Sequence, residues 1–188
     1  MGCYTIVPST LLLSMIIATA SALFVRKWFL TVDDDCRNEV DGKEVADFID
    51  SVLQDKRGWA RLGYRFQRIS RQQGIALRRT RENWKRVFHL RVSKATTVEE
   101  ECGFSDLSCA DLSKNLILFN VDRWLQGAEA SGLELIPYRH YLVQHEIGHL
   151  LGRGHAVCKG AGQLRPIMTQ ATIANDTCQA NMWPLSDE

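Results

Sequence analysis

Apolar side chains at Val45, Phe48, Ile49, Val52 and Leu53 recur at offsets of 3, 4, 7 and 8. That spacing lines one face of a helix and predicts one over residues 44–54. Elsewhere the period drops to two. Residues 64–69 alternate apolar and basic side chains. Residues 85–92 set Phe88, Leu90 and Val92 against Val87, His89 and Arg91, so both stretches predict half-buried strands. The short apolar runs 28–32 and 115–120 predict two more strands, the first leading into the acidic loop Asp33-Asp34-Asp35. A helix is predicted over 121–130. Another begins near Pro137, because the first turn of a helix tolerates proline. Strands followed by helices predict an α+β fold, with a small twisted sheet packed on helices.

The late helix carries the chemistry. His145-Glu146-Ile147-Gly148-His149-Leu150-Leu151-Gly152-Arg153-Gly154-His155 spells H-E-x-x-H-x-x-G-x-x-H. Histidines four apart project from one helix face, so His145 and His149 can reach the same metal ion. Gly152 lets the chain leave the helix through a positive φ and return His155 as a third ligand. Three histidines leave one position open, which is the catalytic rather than the structural zinc pattern. Glu146 stands beside the first ligand, where it can serve as general base. Three of the chain's five histidines fall in these eleven residues, so an accidental cluster on a solvated helix is a poor account of them.

Downstream, Pro166-Ile167-Met168-Thr169-Gln170 resembles the methionine turn beneath the zinc of metzincin metalloproteases. In that family the thioether of a residue placed like Met168 packs under the histidines without binding metal. Some members carry a tyrosine two residues later that stabilises an oxyanion; here that position is Gln170. Further stretches extend the likeness: Arg57-Gly58-Trp59, the run from Tyr138 to Glu146, and Asn181-Met182-Trp183-Pro184. With the motif they are similar to an extracellular actinobacterial zincin-like family known mainly as a domain of unknown function. The likeness covers about residues 28–184 and implies a zincin or metzincin-like fold. It also implies disulfides pairing Cys102 with Cys109 and Cys158 with Cys178. Disulfides need an oxidising compartment, which places the chain outside the cytoplasm. Cys36 is left over. It, or the Asp33–Asp35 loop, could reach back to the zinc as a blocking ligand.

The chain has 188 residues, 45% of them hydrophobic, and no repeat or long linker, which suits one catalytic domain over 26–188. Ahead of it, residues 11–25 are uncharged and apolar or small. Ala18-Thr19-Ala20 and Ala20-Ser21-Ala22 follow the signal-peptidase pattern. Counted from Ile6, the run approaches the length of a membrane anchor. Arg26-Lys27 lies behind it and no basic residue lies ahead of it, so signal peptide and anchor both stand as readings of residues 1–25. Asn175-Asp176-Thr177 is a glycosylation sequon and equally a plain polar turn.

Charge divides the chain. Residues 56–94 hold thirteen lysines and arginines against one acid, Glu82, although the whole chain has a net charge of only +1. Such a block could meet an anionic envelope polymer or lipid headgroup, or simply be a solvated face. No nucleic-acid motif accompanies it. The expected activity is peptide hydrolysis with Zn2+ on His145, His149 and His155 and with Glu146 as base. A peptide would add to an edge strand, with residues 85–92 and 115–120 as candidates. The rival readings are a zinc-bearing extracellular binding module and a zinc hydrolase of a non-peptide amide.

Overall fold

The computed structural model describes residues 25–172 and 176–188; the proposed leader or anchor, apart from Val25, and Asn175 of the sequon lie outside them. Five strands form one sheet: β1 (Val25–Val32), β2 (Arg65–Arg68), β3 (Val87–Ser93), β4 (Cys109–Asp111) and β5 (Leu116–Asn120). Their order is β2-β1-β3-β5-β4. All pairings are parallel except β4 with β5. The helices are α1 (Gly42–Gln54), α2 (Arg71–Arg78), α3 (Arg81–Trp84), α4 (Ala95–Cys102), α5 (Val121–Gln126) and α6 (Leu135–Leu150).

The sheet and helices that the sequence predicts are present, but the helices alternate with the strands instead of following them. Parallel neighbours need a crossover, and α1 and α2 fall in the crossovers. Helices α2 and α4 escape the sequence reading because each has a single fully buried residue, Gly74 and Val98. An eight-residue helix with one buried position shows no amphipathic stripe.

Alternation sorts the sheet into two faces. Register places Trp28 beside Phe88, Leu30 beside Leu90 and Val32 beside Val92, then Leu90 beside Ile117 and Val92 beside Phe119. This apolar face packs on Val45, Ile49, Val52 and Leu53 of α1 and on Tyr138 and Leu142 of α6. The reverse face is mixed. Leu116 and Leu118 pack with Val98 of α4, while Thr31, His89 and Arg91 face a groove.

Neither predicted edge strand lies at an edge. Strand β3 is the centre of the sheet, and every residue of β5 is buried. The edge beside α6 is β4, a three-residue strand too short to show a period. Its first residue, Cys109, is bridged to Cys102 at the end of α4. Beyond α6 the chain has little regular structure. Instead, Cys158 is bridged to Cys178, and the buried Arg165 guanidinium pairs with Asp176 at 3.1 Å and donates to Ser131 O at 2.6 Å. No described helix is long and apolar enough to cross a membrane.

Candidate metal centre

Every residue of helix α6 from Tyr141 through Gly148 is buried, the polar Gln144, His145 and Glu146 included. It is held from two directions. Trp59 donates from its indole to Gln144 O at 2.8 Å, and the Gln144 amide donates to Val52 O of α1 at 3.2 Å. At Gly148 a Cβ would overlap Met168 Sδ and the Trp59 ring, so only glycine lets both pack against this turn. The helix stops at Leu150. Arg153 N–H bonds back to Gly148 O at 2.9 Å, and Gly152 takes φ 87°. That turn carries His155 over the helical histidines.

The three imidazoles converge. Ring centroids are 4.8 Å apart for His145 and His149, 5.4 Å for His145 and His155, and 4.7 Å for His149 and His155. One ring nitrogen from each lies within 4.8 Å of the others. The outer nitrogens are engaged: His145 Nδ1 lies 2.9 Å from Ile167 O and His149 Nδ1 lies 2.9 Å from Arg153 O. A carbonyl only accepts, so both Nδ1 atoms carry the proton. The Nε2 lone pairs of His145 and His149 then face each other across 3.2 Å with no proton to share. Burial also holds all three histidines below their ordinary pKa, His145 at about 3, which opposes an imidazolium that could supply that proton. Facing lone pairs on neutral imidazoles fit a soft or borderline divalent cation, and the donor set suits zinc.

Glu146 is buried, its Oε2 has no hydrogen-bond partner, and burial pushes its pKa up to about 8. A cation beside it would draw that value down again. Met168 is buried below the helix. Its N–H donates to Glu188 Oε1 at 2.9 Å, and Ile167 N–H donates to Oε2 of the same carboxylate at 3.0 Å. Glu188 thus props the turn whose Ile167 carbonyl orients His145. No local pattern in the sequence points to that contact, because twenty residues separate the partners.

These groups open into a cleft of about 240 Å³ walled by Phe104, Leu107, Leu112, Cys109 and Gln170. A larger groove of about 1220 Å³ lies on the reverse face of the sheet, beside Thr31, Asp33, Arg78, His89 and Arg91. It contains none of the converging groups; the three histidines and Glu146 line the smaller cleft.

The two remaining histidines and the candidate blocking ligands lie elsewhere. His89 stacks on Phe29 at 4.5 Å and shares a 2.8 Å hydrogen bond with Thr31. His140 packs between Phe48 and Trp183. Cys36 is fully buried, and burial with Asp35 beside it pushes its thiol up to about 12, while Asp33 pairs with Arg91. Neither joins the group of converging histidines, so the blocking-ligand idea fails: Cys36 is packed into the apolar core and Asp33 faces the reverse groove. In the basic stretch, Arg57, Arg68, Arg91 and Lys94 pair with Asp55, Asp47, Asp33 and Glu39. Arg61 and Arg78 donate to backbone carbonyls.

Residues 19–184 match the family model described as protein of unknown function DUF3152. The chain belongs to this family. Among solved structures, a zinc-dependent peptidase from Methanocorpusculum labreanum (strain Z) is similar to this DUF3152 chain at 16% identity, with a TM-score of 0.39. The alignment covers 84% of this chain and 90% of that one. No curated protein matches the chain.

Proposed function

We propose that this chain is a zinc-dependent peptidase of metzincin-like architecture that works outside the cytoplasm, with residues 26–188 as its catalytic domain. The observation that carries the reading is the pair of facing, unprotonated Nε2 atoms beside a buried carboxylate oxygen with no partner. The two bridged cysteine pairs support the location. Zinc held by His145, His149 and His155 would supply Lewis acidity to a water and to the scissile carbonyl.

The remaining work falls to the chain's own groups. The Ile167 and Arg153 carbonyls hold the His145 and His149 tautomers. Glu146 Oε2 takes a proton from the attacking water and later hands it to the leaving amine, which a carboxylate in a dry site does well. Phe104, Leu107 and Leu112 give the cleft an apolar wall, exposed at Phe104 and Leu112, on which a substrate's apolar side chains can rest. The free edge of β4 offers backbone donors and acceptors to an extended peptide.

A diverse peptide pool tests this. The full chain, oxidised and zinc-loaded, is incubated beside Glu146→Ala. Wild type should cut and lose its cutting to a chelator, whereas Glu146→Ala should keep its zinc and fall by about 10²–10⁴-fold. Equal cutting by both proteins, or none by a zinc-replete folded wild type, sinks the reading.

A further inference from the structure

Strands β1, β2 and β3 are parallel, so they begin at one end of the sheet. Register sets Val25 beside Arg65, and Lys27 N–H donates to Arg86 O at 3.0 Å. The Arg78 guanidinium donates to the Val87, Lys114 and Asn115 carbonyls, which pins the last turn of α2 to the same end. Arg26, Lys27, Arg65, Arg79, Lys85 and Arg86 are gathered there. None of these is buried, and Arg65, Arg79, Lys85 and Arg86 are exposed. No ion pair joins any of them to a described carboxylate. Arg65 donates to the Ala60 and Tyr64 carbonyls, which leaves its charge unanswered.

The opposite end carries the other sign. Strand β1 runs into Asp33–Asp35, and β5 runs into Asp122. Helix α1 starts there as well, with Gly42 against the Val32 side chain and with Asp41 and Glu44 in its cap and first turn. Arg37, Arg91 and Lys94 answer Asp34, Asp33 and Glu39 but leave Asp35, Asp41, Glu44 and Asp122 unpaired among the described residues. The parallel strands therefore run from a basic end to an acidic one, and a charged surface would orient such a molecule. Residues 6–24 carry no charged side chain, and the chain passes from them into β1 at the basic end. A bilayer that takes up such a run lies against the end where the run joins the fold.

We propose that the basic end of the sheet seats on an anionic lipid surface, with Lys27, Arg65, Lys85 and Arg86 at the headgroups and the acidic end turned to solvent. Guanidinium forks match phosphate oxygens, and the long stems let lysine and arginine reach the headgroup plane while the strands stay above it. The attraction fades within a Debye length, roughly 10 Å at 0.1 M salt, so only the end that faces the surface contributes. A soluble polyanion would match the charge equally, but it would not account for an uncharged run entering at this end. None of these cations lines the histidine cleft, so the surface is separate from the site described above.

The test uses the full, oxidised chain and two kinds of vesicle: phosphatidylcholine alone, and phosphatidylcholine mixed with phosphatidylglycerol. Sedimentation reads the partition. Acetylation followed by mass spectrometry reads the exposure of Lys27 and Lys85, with the exposed Lys43 at the acidic end as control. At about 0.1 M salt the anionic vesicles should bind the chain at least about a hundredfold more tightly and shield Lys27 and Lys85 but not Lys43. Salt at about 1 M should erase both effects. The variant Lys27→Gln/Arg65→Gln/Lys85→Gln/Arg86→Gln should lose about fivefold of the preference per cation removed, at an unchanged thermal midpoint. If that variant does not fold, the exposed pair Lys85→Gln/Arg86→Gln should lose about 25-fold. Should the uncharged run carry the chain into both vesicles alike, the lipid dependence of acetylation decides alone. Equal shielding in the two lipids, a preference that survives the substitutions, or shielding of Lys43 as strong as that of Lys27 and Lys85 overturns the proposal. Binding to soluble polyphosphate without shielding by either lipid assigns this end to a polyanion and also overturns it.

Discussion

Glu146 and Gly148 stand two residues apart on one helix, and each is set by what surrounds it. Glu146 is a carboxylate in a place where nothing donates to it. Burial of that kind is costly unless a cation or a reacting group uses the oxygen. Gly148 sits where Met168 Sδ and the Trp59 ring leave no room for a methyl group. Gly148→Ala should therefore cost about 1–3 kcal/mol, as overpacking does. In a chain of this size that lowers the thermal midpoint by several degrees. An unchanged midpoint would show that Met168 yields freely. The histidines and Glu146 are legible from spacing alone, because a helix fixes which side chains share a face. The Ile167 carbonyl, Gln144 and Glu188 are not legible, because their contacts join distant parts of the chain.

Among the elements, the two bridges divide the labour. Cys102–Cys109 ties the end of α4 to the first residue of the edge strand. Cys158–Cys178 closes a longer loop that contains Met168 and Gln170. Longer loops gain more from closure, about 3 kcal/mol for one of some fifteen residues. The Cys158→Ser/Cys178→Ser double variant should lose more thermal stability and more zinc affinity than Cys102→Ser/Cys109→Ser. Calorimetry and competition against a zinc dye read the two quantities. Equal losses would place the support of the site elsewhere. A strand three residues long has no measurable period, so β4 was invisible in the sequence, and the better-patterned runs 85–92 and 115–120 took its place as edge candidates. Their strong patterns arise from interior positions: the front-face residues of β3, and all of β5, are buried.

For the whole molecule, acid should act partly through the reverse face. Burial, with Arg78 and Arg91 nearby, holds the His89 pKa down at about 4 against an ordinary 6.5, and Asp33 opposes the shift. Between those values the unfolded chain binds the proton and the folded chain does not. The contribution is therefore complete above about pH 6.5 and is lost as pH falls toward 4, by up to about 3 kcal/mol. His89→Gln should flatten the stability difference between pH 6.5 and 4 relative to wild type, followed by urea unfolding. An identical slope in both proteins would show that His89 does not titrate there. The basic stretch also resolves at this scale. Four of its thirteen cations meet carboxylates outside the stretch, so part of the charge asymmetry along the chain cancels in space.

The sequence by itself determined that His145, Glu146 and His149 stand together on one helix and that the chain turns at Gly152 toward His155, because helical periodicity and a glycine exit are local rules. It also determined most strands and the principal amphipathic helix, where burial repeats at a fixed interval. Tertiary structure alone decided the strand order, the true edge, the tautomer of His145, and the exclusion of Cys36 from the cleft. Each of those depends on which distant backbone group comes to rest beside a side chain. A periodic pattern records how much of an element is buried, not what it is buried against.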